Sequence, residues 1–204
     1  MKHLETEWDW ARYYELSAGR SPRPLLHCAL ALRGQENPGD AIDLGSGDGV
    51  ETLFLLEAGW RVLAIDQLQE AIDHLRSRVP DHLADALFAA SMTFRQMSWP
   101  RADLVWAGHS LSFCDEVEFQ STFEGLSDSL TDGGIFAGHL LGDRDSWRAD
   151  GPPITAFVEE DLRRLLERDF RIEVLFEREE DGFGFGTPKH WHFFEVIARR
   201  ANPW

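Results

Sequence analysis

Short apolar runs and helical stripes alternate along this chain. The first run, Ala41-Ile42-Asp43-Leu44, predicts a strand from Asp40 to Leu44, and Gly45-Ser46-Gly47-Asp48-Gly49 turns the chain after it. Val50, Leu53, Phe54 and Ala58 then fall on one helical face, with Gly59 placed to end that helix. Arg61 to Ile65 predicts a second strand, and Leu68, Ile72, Leu75 and Val79 keep a helical spacing that stops before Pro80. Leu87 to Ala90 and Ala102 to Ala107 predict strands three and four. Phe119, Phe123, Leu126 and Leu130 mark a helix ended by Asp132-Gly133-Gly134, ahead of a fifth strand from Ile135 to Leu141. Val158, Leu162, Leu165 and Leu166 give one more helical stripe.

The C-terminal segments change rhythm. Phe170, Ile172, Val174 and Phe176 alternate, Asp181 to Gly186 reads as a flexible connection, and Trp191 to Arg199 alternates again. Two consecutive strands with no helix between them pair antiparallel or lie apart. The pattern therefore predicts an α/β fold: a seven-stranded, mainly parallel sheet with an antiparallel C-terminal strand and helices on both faces. No repeat, low-complexity tract or long linker divides the 204 residues. One domain is expected over 1–204, with 1–37 a helical embellishment and 38–200 the core.

Charge narrows the partners. With 43% hydrophobic and 27% charged residues the composition is that of an ordinary globular protein. Twenty Lys+Arg against 36 Asp+Glu leave a formal charge of −16, which repels phosphate backbones and anionic lipid, so neither a nucleic-acid nor a membrane partner is expected. No run reaches the roughly 18 apolar residues of a spanning helix. Met1 to Glu7 lacks the apolar core of a signal peptide, and a cytoplasmic location is expected. Cys28 and Cys114 lie far apart without ligand spacing and read as reduced and structural, Cys114 with the further option of lining the site described next.

The chemistry gathers around Asp43-Leu44-Gly45-Ser46-Gly47-Asp48-Gly49, between a strand and a helix, with Asp66 at the end of the next strand. Glycines let a backbone approach a ligand closely, and a carboxylate at the second strand's tip can accept both hydroxyls of a ribose. A nucleoside site is predicted. The glycines run G-x-G-x-G, and Val50 stands where a dinucleotide fingerprint requires a third small residue. Asp43 would repel a pyrophosphate and suits a cationic ligand.

On these residues the sequence resembles the class I S-adenosylmethionine-dependent methyltransferases, which have a Rossmann-like sheet. Asp43 to Gly49 looks like their first motif, Asp66 like their ribose-binding acid, and Ala102-Asp103-Leu104-Val105 with Trp106 to Leu111 like the fourth-strand motif beside the transferable methyl. Leu130 to Gly134 looks like the turn before their fifth strand, and the terminal strand pair agrees with their fold. The resemblance implies S-adenosylmethionine as cofactor and S-adenosylhomocysteine as product. It implies Asp43, Gly45, Ser46 and Gly47 at the amino and carboxylate end, Asp66 and Gln67 at the ribose, and Ala107 near the methyl group. Many members carry an Asp for the adenine amino group where Ser91-Met92-Thr93-Phe94 stands here; Thr93 Oγ or a backbone carbonyl takes that bond instead, with Met92 or Phe94 on the ring. The implied reaction is methyl transfer to a small-molecule O, N or S nucleophile. The alternative is a non-catalytic protein that binds the cofactor as a sensor or scaffold. Trp106-Ala107-Gly108-His109 occupies the place of the Asn/Asp-Pro-Pro-Tyr motif of DNA amino-group methylation.

Acceptor-side candidates lie where strands four and five end, since ligands of open α/β sheets sit beyond the strands' carboxyl ends. His109 is a candidate base, and Arg144 either holds a substrate carboxylate or clamps its loop through Asp143 or Asp145. Trp10, Tyr13 and Tyr14 share a helical spacing and form either a lid over the acceptor, with Tyr14 in the site, or a face packed on the sheet. Arg20-Ser21-Pro22-Arg23-Pro24 concentrates positive charge in a predicted turn before a helix from Leu25 to Leu32. His190 and His192 point the same way on a strand. They suit a metal pair, a contact with the methyl donor, or polar positions at a strand start; without a third ligand nearby no metal is expected.

Overall fold

The computed structural model describes residues 10, 19–34, 37–150 and 154–201. In chain order its elements are α1 (Pro24–Arg33), β1 (Asp40–Leu44), α2 (Val50–Glu57), β2 (Arg61–Asp66), α3 (Gln69–Arg78), β3 (Leu87–Ser91), β4 (Ala102–Ala107), α4 (Glu116–Ser129), β5 (Leu130–Leu141), the short α5 (Trp147–Asp150), α6 (Glu159–Glu167), β6 (Phe170–Gly184) and β7 (Thr187–Arg200). The seven strands order as β3-β2-β1-β4-β5-β7-β6. β1 to β5 pair parallel, and β7 runs antiparallel to both β5 and β6. The Rossmann-like sheet expected from the pattern is present.

Strand alternation divides the core into two layers. Ile42, Leu44, Val105, Ala107 and Phe136 meet Phe119, Phe123 and Leu126 of α4 and Leu162 and Leu166 of α6 on one face. Ala41, Leu104, Trp106, Ile135 and Ala137 meet Leu25, Leu26, Leu55, Leu56 and Leu75 of α1 to α3 on the other. Strand order reverses at β1 and β4, so their carboxyl ends open the crevice in which ligands of such sheets bind. No helix among the described residues is long and apolar enough to cross a membrane.

Two boundaries differ from expectation. α4 ends at Ser129, and β5 begins at Leu130 rather than Ile135 through an irregular pairing with β4. Asp181 to Gly186 is not a flexible connection: β6 pairs with β7 up to Gly184↔Thr187, and Phe185 and Gly186 alone make the turn with φ of 52° and 79°. Two left-handed residues give a two-residue loop whose twist matches the strands it joins. Phe185 is an unusual residue there, and its ring packs on Trp10 and Trp147 at 5.4 and 5.6 Å.

Candidate active site

The carboxyl ends of β1 to β4 and the segment ahead of α1 enclose a cleft of about 950 Å³, its open mouth included. Its floor is the glycine turn. The amides of Gly45 and Ser46 both donate to Ile65 O at 2.9 Å, which draws the turn against β2. Gly45 adopts φ +72°, and a Cβ there would stand 2.5 Å from Ser110 Cβ, so only glycine fits between the ends of β1 and β4. Asp66 closes the turn on the other side, accepting Gly47 N–H at 2.9 Å and Leu68 N–H at 3.0 Å.

The polar groups of the floor form a buried charge cluster. Asp43 is 2% exposed, and burial pushes its carboxyl up to about 7 although Thr52 Oγ1 donates to it at 2.6 Å. Arg20 grips both oxygens of Glu51 at 2.5 Å and Asp48 at 2.9 Å, and Arg23 adds Nη1 to Glu51 at 3.0 Å. Burial raises the Glu51 carboxyl, but the two guanidiniums outweigh it and hold the group below its ordinary value. Ser46 Oγ and Asp48 Oδ2 are buried without hydrogen-bond partners. Unmet polar atoms on the floor of a cleft are places where a ligand's amino or carboxylate groups find partners.

Residues 41–134 match the family model described as a methyltransferase domain. By this match the segment that runs from β1 into β5 is a methyltransferase domain. Solved structures share the fold at low identity. One is the 1,6-didemethyltoxoflavin-N1-methyltransferase of Burkholderia thailandensis with its substrate and S-adenosylhomocysteine bound: 19% identity, 88% of this chain and 78% of that chain, TM-score 0.66. TehB from Haemophilus influenzae matches at 15% identity over 94% of this chain and 67% of that one, TM-score 0.71. The N-methyltransferase NodS of Bradyrhizobium japonicum WM9, in complex with S-adenosylhomocysteine, matches at 16% over 96% of this chain and 100% of that one, TM-score 0.68. No curated protein sequence matches the chain.

Most of the cofactor residues expected in the methyltransferase domain meet in the cleft: Asp43, Gly45, Ser46, Gly47, Asp66, Gln67, Met92, Thr93 and Phe94 all line it. Ala107 does not. It is fully buried on the α4 side of β4, and its neighbours Trp106 and Gly108 line the cleft instead, as strand alternation requires. His109, just past the end of β4, lines the cleft with Trp10 and Phe113, and Trp10 meets Phe113 edge-on at 4.7 Å. Burial, and then the neighbouring His139, keep His109 neutral far below the ordinary histidine value. Cys114 reaches the wall, where burial pushes its thiol up to about 12. Tyr14, with Tyr13, lies outside the described residues.

Arg144, in the loop after β5, and His190, on β7, are not among the cleft-lining residues and pair instead with acids of β6. Arg144 donates to Glu177 at 2.7 Å and to Glu179 at 2.8 and 3.0 Å on β6, and it also pairs with Asp143 of its own loop at 3.6 Å, the clamp that the sequence offered. Exposed His190 bonds Asp181 at 2.8 Å and Glu179 at 3.1 Å, contacts that raise its pKa. His192 is buried. Its Nδ1 accepts Arg144 N–H at 3.0 Å, so Nε2 carries the hydrogen towards Glu177 at 2.8 Å. No group of three or more His, Cys, Asp or Glu among the described residues is placed to hold a metal ion.

Sequence reasoning missed Arg20 and Arg23 as cleft residues, together with their partner Glu51. The signal was the concentration of positive charge before α1 and an acid two residues beyond the last glycine of the turn. Trp106, Phe113 and Glu118 were also missed.

Proposed function

We propose that the protein transfers the methyl group of S-adenosylmethionine to a small-molecule O, N or S nucleophile, releasing S-adenosylhomocysteine. The observation that carries this reading is Asp66 at the tip of β2, bonded to the glycine turn inside a cleft that continues past the end of β4. The residues present fit the cofactor. Asp66 and Gln67 face a ribose, Ser46 and Asp48 offer unpartnered oxygens to the amino end, and Arg20 brings a cation for the carboxylate. Buried Asp43 supplies the acid that suits a cationic ligand. Met92 and Phe94 cover an adenine, and Thr93 Oγ1, which bonds Gln96 at 3.2 Å, keeps a lone pair for the adenine amino group.

Bound, S-adenosylmethionine supplies an electrophilic methyl group on a positively charged sulfur. The protein's part is then orientation, which is worth on the order of 7–11 kcal/mol for a well-placed pair of reactants. Trp10, His109 and Phe113 shape the acceptor end, where the rings of Trp10 and Phe113 pack edge-on at 4.7 Å. The formal charge of −16 disfavours nucleic-acid acceptors, leaving small molecules. Incubation with methyl-labelled S-adenosylmethionine and a low-molecular-weight extract tests the proposal. Labelled product with stoichiometric S-adenosylhomocysteine is expected; cofactor binding without turnover on any extract contradicts it.

A further inference from the structure

The acceptor end holds a histidine whose two ring nitrogens differ. His109 has a left-handed backbone, φ 56°, at the exit of β4. Its ring stacks on His139 at 4.1 Å with an interplanar angle of 11°, and the rings of Phe193 and Trp191 meet it at 4.9 and 5.7 Å. Three aromatic neighbours fix one orientation. Nδ1 is buried without a partner, while Nε2 is not among the buried unpartnered atoms although no hydrogen bond occupies it, so Nε2 is the nitrogen open to the cleft that His109 lines.

The hydrogen of the neutral ring follows from this. Placed on Nδ1 it would leave an orphaned buried N–H, the rarer and costlier defect; placed on Nε2 it leaves only an unused lone pair inside. Burial keeps the second proton off, and His139 from β5, Lys189 from β7 and Arg20 and Arg23 ahead of α1 act the same way, while the acids Asp43, Asp48, Glu51, Asp66 and Glu118 line the same cleft.

The geometry points to His109 as a fixed neutral N–H donor at the acceptor end rather than a base, and to a methyl acceptor that is a planar aromatic or heteroaromatic compound presenting a hydrogen-bond-accepting atom to Nε2. The planar shape comes from the walls, since the rings of Trp10 and Phe113, edge-on to each other at 4.7 Å, line the cleft with His109. A nucleophile bound there carries its lone pair without proton removal, as a displacement on a methyl group permits. The inference rests on the methyl-transfer reading.

Two measurements on the S-adenosylhomocysteine-loaded protein test it. Long-range proton–nitrogen spectra of histidine-labelled protein, with the His109 signals assigned by His109→Gln, are expected to show the Nε2–H tautomer unchanged from about pH 5.5 to 8. A cationic or Nδ1–H pattern overturns the proposal. Quinoline, a flat lone-pair acceptor, is expected to bind about tenfold tighter than indole, a flat donor of similar size, which is the worth of one hydrogen bond. His109→Ala, which removes the donor, abolishes that preference. Equal binding of the probes, binding of neither, or a preference that survives His109→Ala overturns the proposal while intact S-adenosylhomocysteine binding leaves the cofactor reading standing. Failure of S-adenosylhomocysteine itself to bind removes both.

Discussion

One carboxylate oxygen of Asp66 accepts the backbone N–H of Gly47 at 2.9 Å while the other accepts that of Leu68 at 3.0 Å. A single side chain thus ties the glycine turn to the start of α3 before any ligand arrives. Asp66→Asn leaves one acceptor where two are used. The cofactor-free variant should lose about 1–3 kcal/mol in chemical denaturation, the cost of one buried donor left unmet. Unchanged stability would show that the turn holds its shape without Asp66.

Asp43 should couple cofactor binding to pH. Its folded pKa of about 7 lies above the ordinary 3.8, so the folded protein holds a proton that the unfolded chain has released, and stability falls as pH rises between those values. A cationic ligand favours the carboxylate. Affinity for S-adenosylmethionine should therefore climb from pH 5.5 and level off above about 7, with proton release visible as a buffer-dependent heat in calorimetry. Asp43→Asn should flatten that profile and stabilise the empty protein at pH 8; a pH-independent affinity in the wild type would contradict the assignment.

Glu51, 3% exposed, carries Arg20 and Arg23 on its two oxygens. Removing one member of a buried ion cluster strands the others. Glu51→Gln should cost about 3–5 kcal/mol in denaturant unfolding. The folded Glu51 pKa lies below its ordinary 4.5, so its stabilisation is present above that pH and is lost as pH falls through the lowered folded value. The variant should accordingly lose the acid limb of the wild-type stability curve, and a full acid limb in the variant would assign it to other groups.

The strands and the glycine turn beside Asp66 were legible because period-two runs, glycine spacing and an acid at a strand's end are local signals. What escaped depends on distance along the chain. Arg20 meets Glu51 across 31 residues, and the basic cluster and the acid after the glycine turn are local signals that do not say they pair with each other. Arg144 finds Glu179 across 35 residues, on β6, and neither is among the cleft-lining residues. The tightness of the β6–β7 turn was missed for a different reason. Phe185 occupies a left-handed turn position where asparagine or glycine is the usual signal, and its ring packing on Trp10 and Trp147 compensates. The resemblance to a fourth-strand motif put Ala107 near the methyl group, whereas alternate strand residues face opposite layers and Ala107 points to the α4 side.

Lys189 and Asp145 form a buried ion pair, with the ammonium 3.8 Å from the Trp147 ring and 4.3 Å from that of Trp191. Asp145 also accepts the amides of Trp147 at 3.0 Å and His192 at 3.2 Å. Asp145→Ala should be the more harmful change, at about 3–5 kcal/mol, because it strands a buried ammonium as well as two amides. Lys189→Met should cost less, since those amides still neutralise part of the Asp145 charge. Equal or reversed losses in parallel thermal melts would contradict this division of labour.

The most direct test of the central claim is a calorimetric titration of S-adenosylhomocysteine into the wild-type protein and into Asp66→Ala. One site per chain is expected in the wild type. In the variant, affinity should fall by about tenfold or more for each ribose hydrogen bond lost, at about 1.5–3 kcal/mol apiece. No binding by folded wild-type protein, or equal affinity in the two proteins, would contradict the claim that this cleft is a cofactor site organised around Asp66.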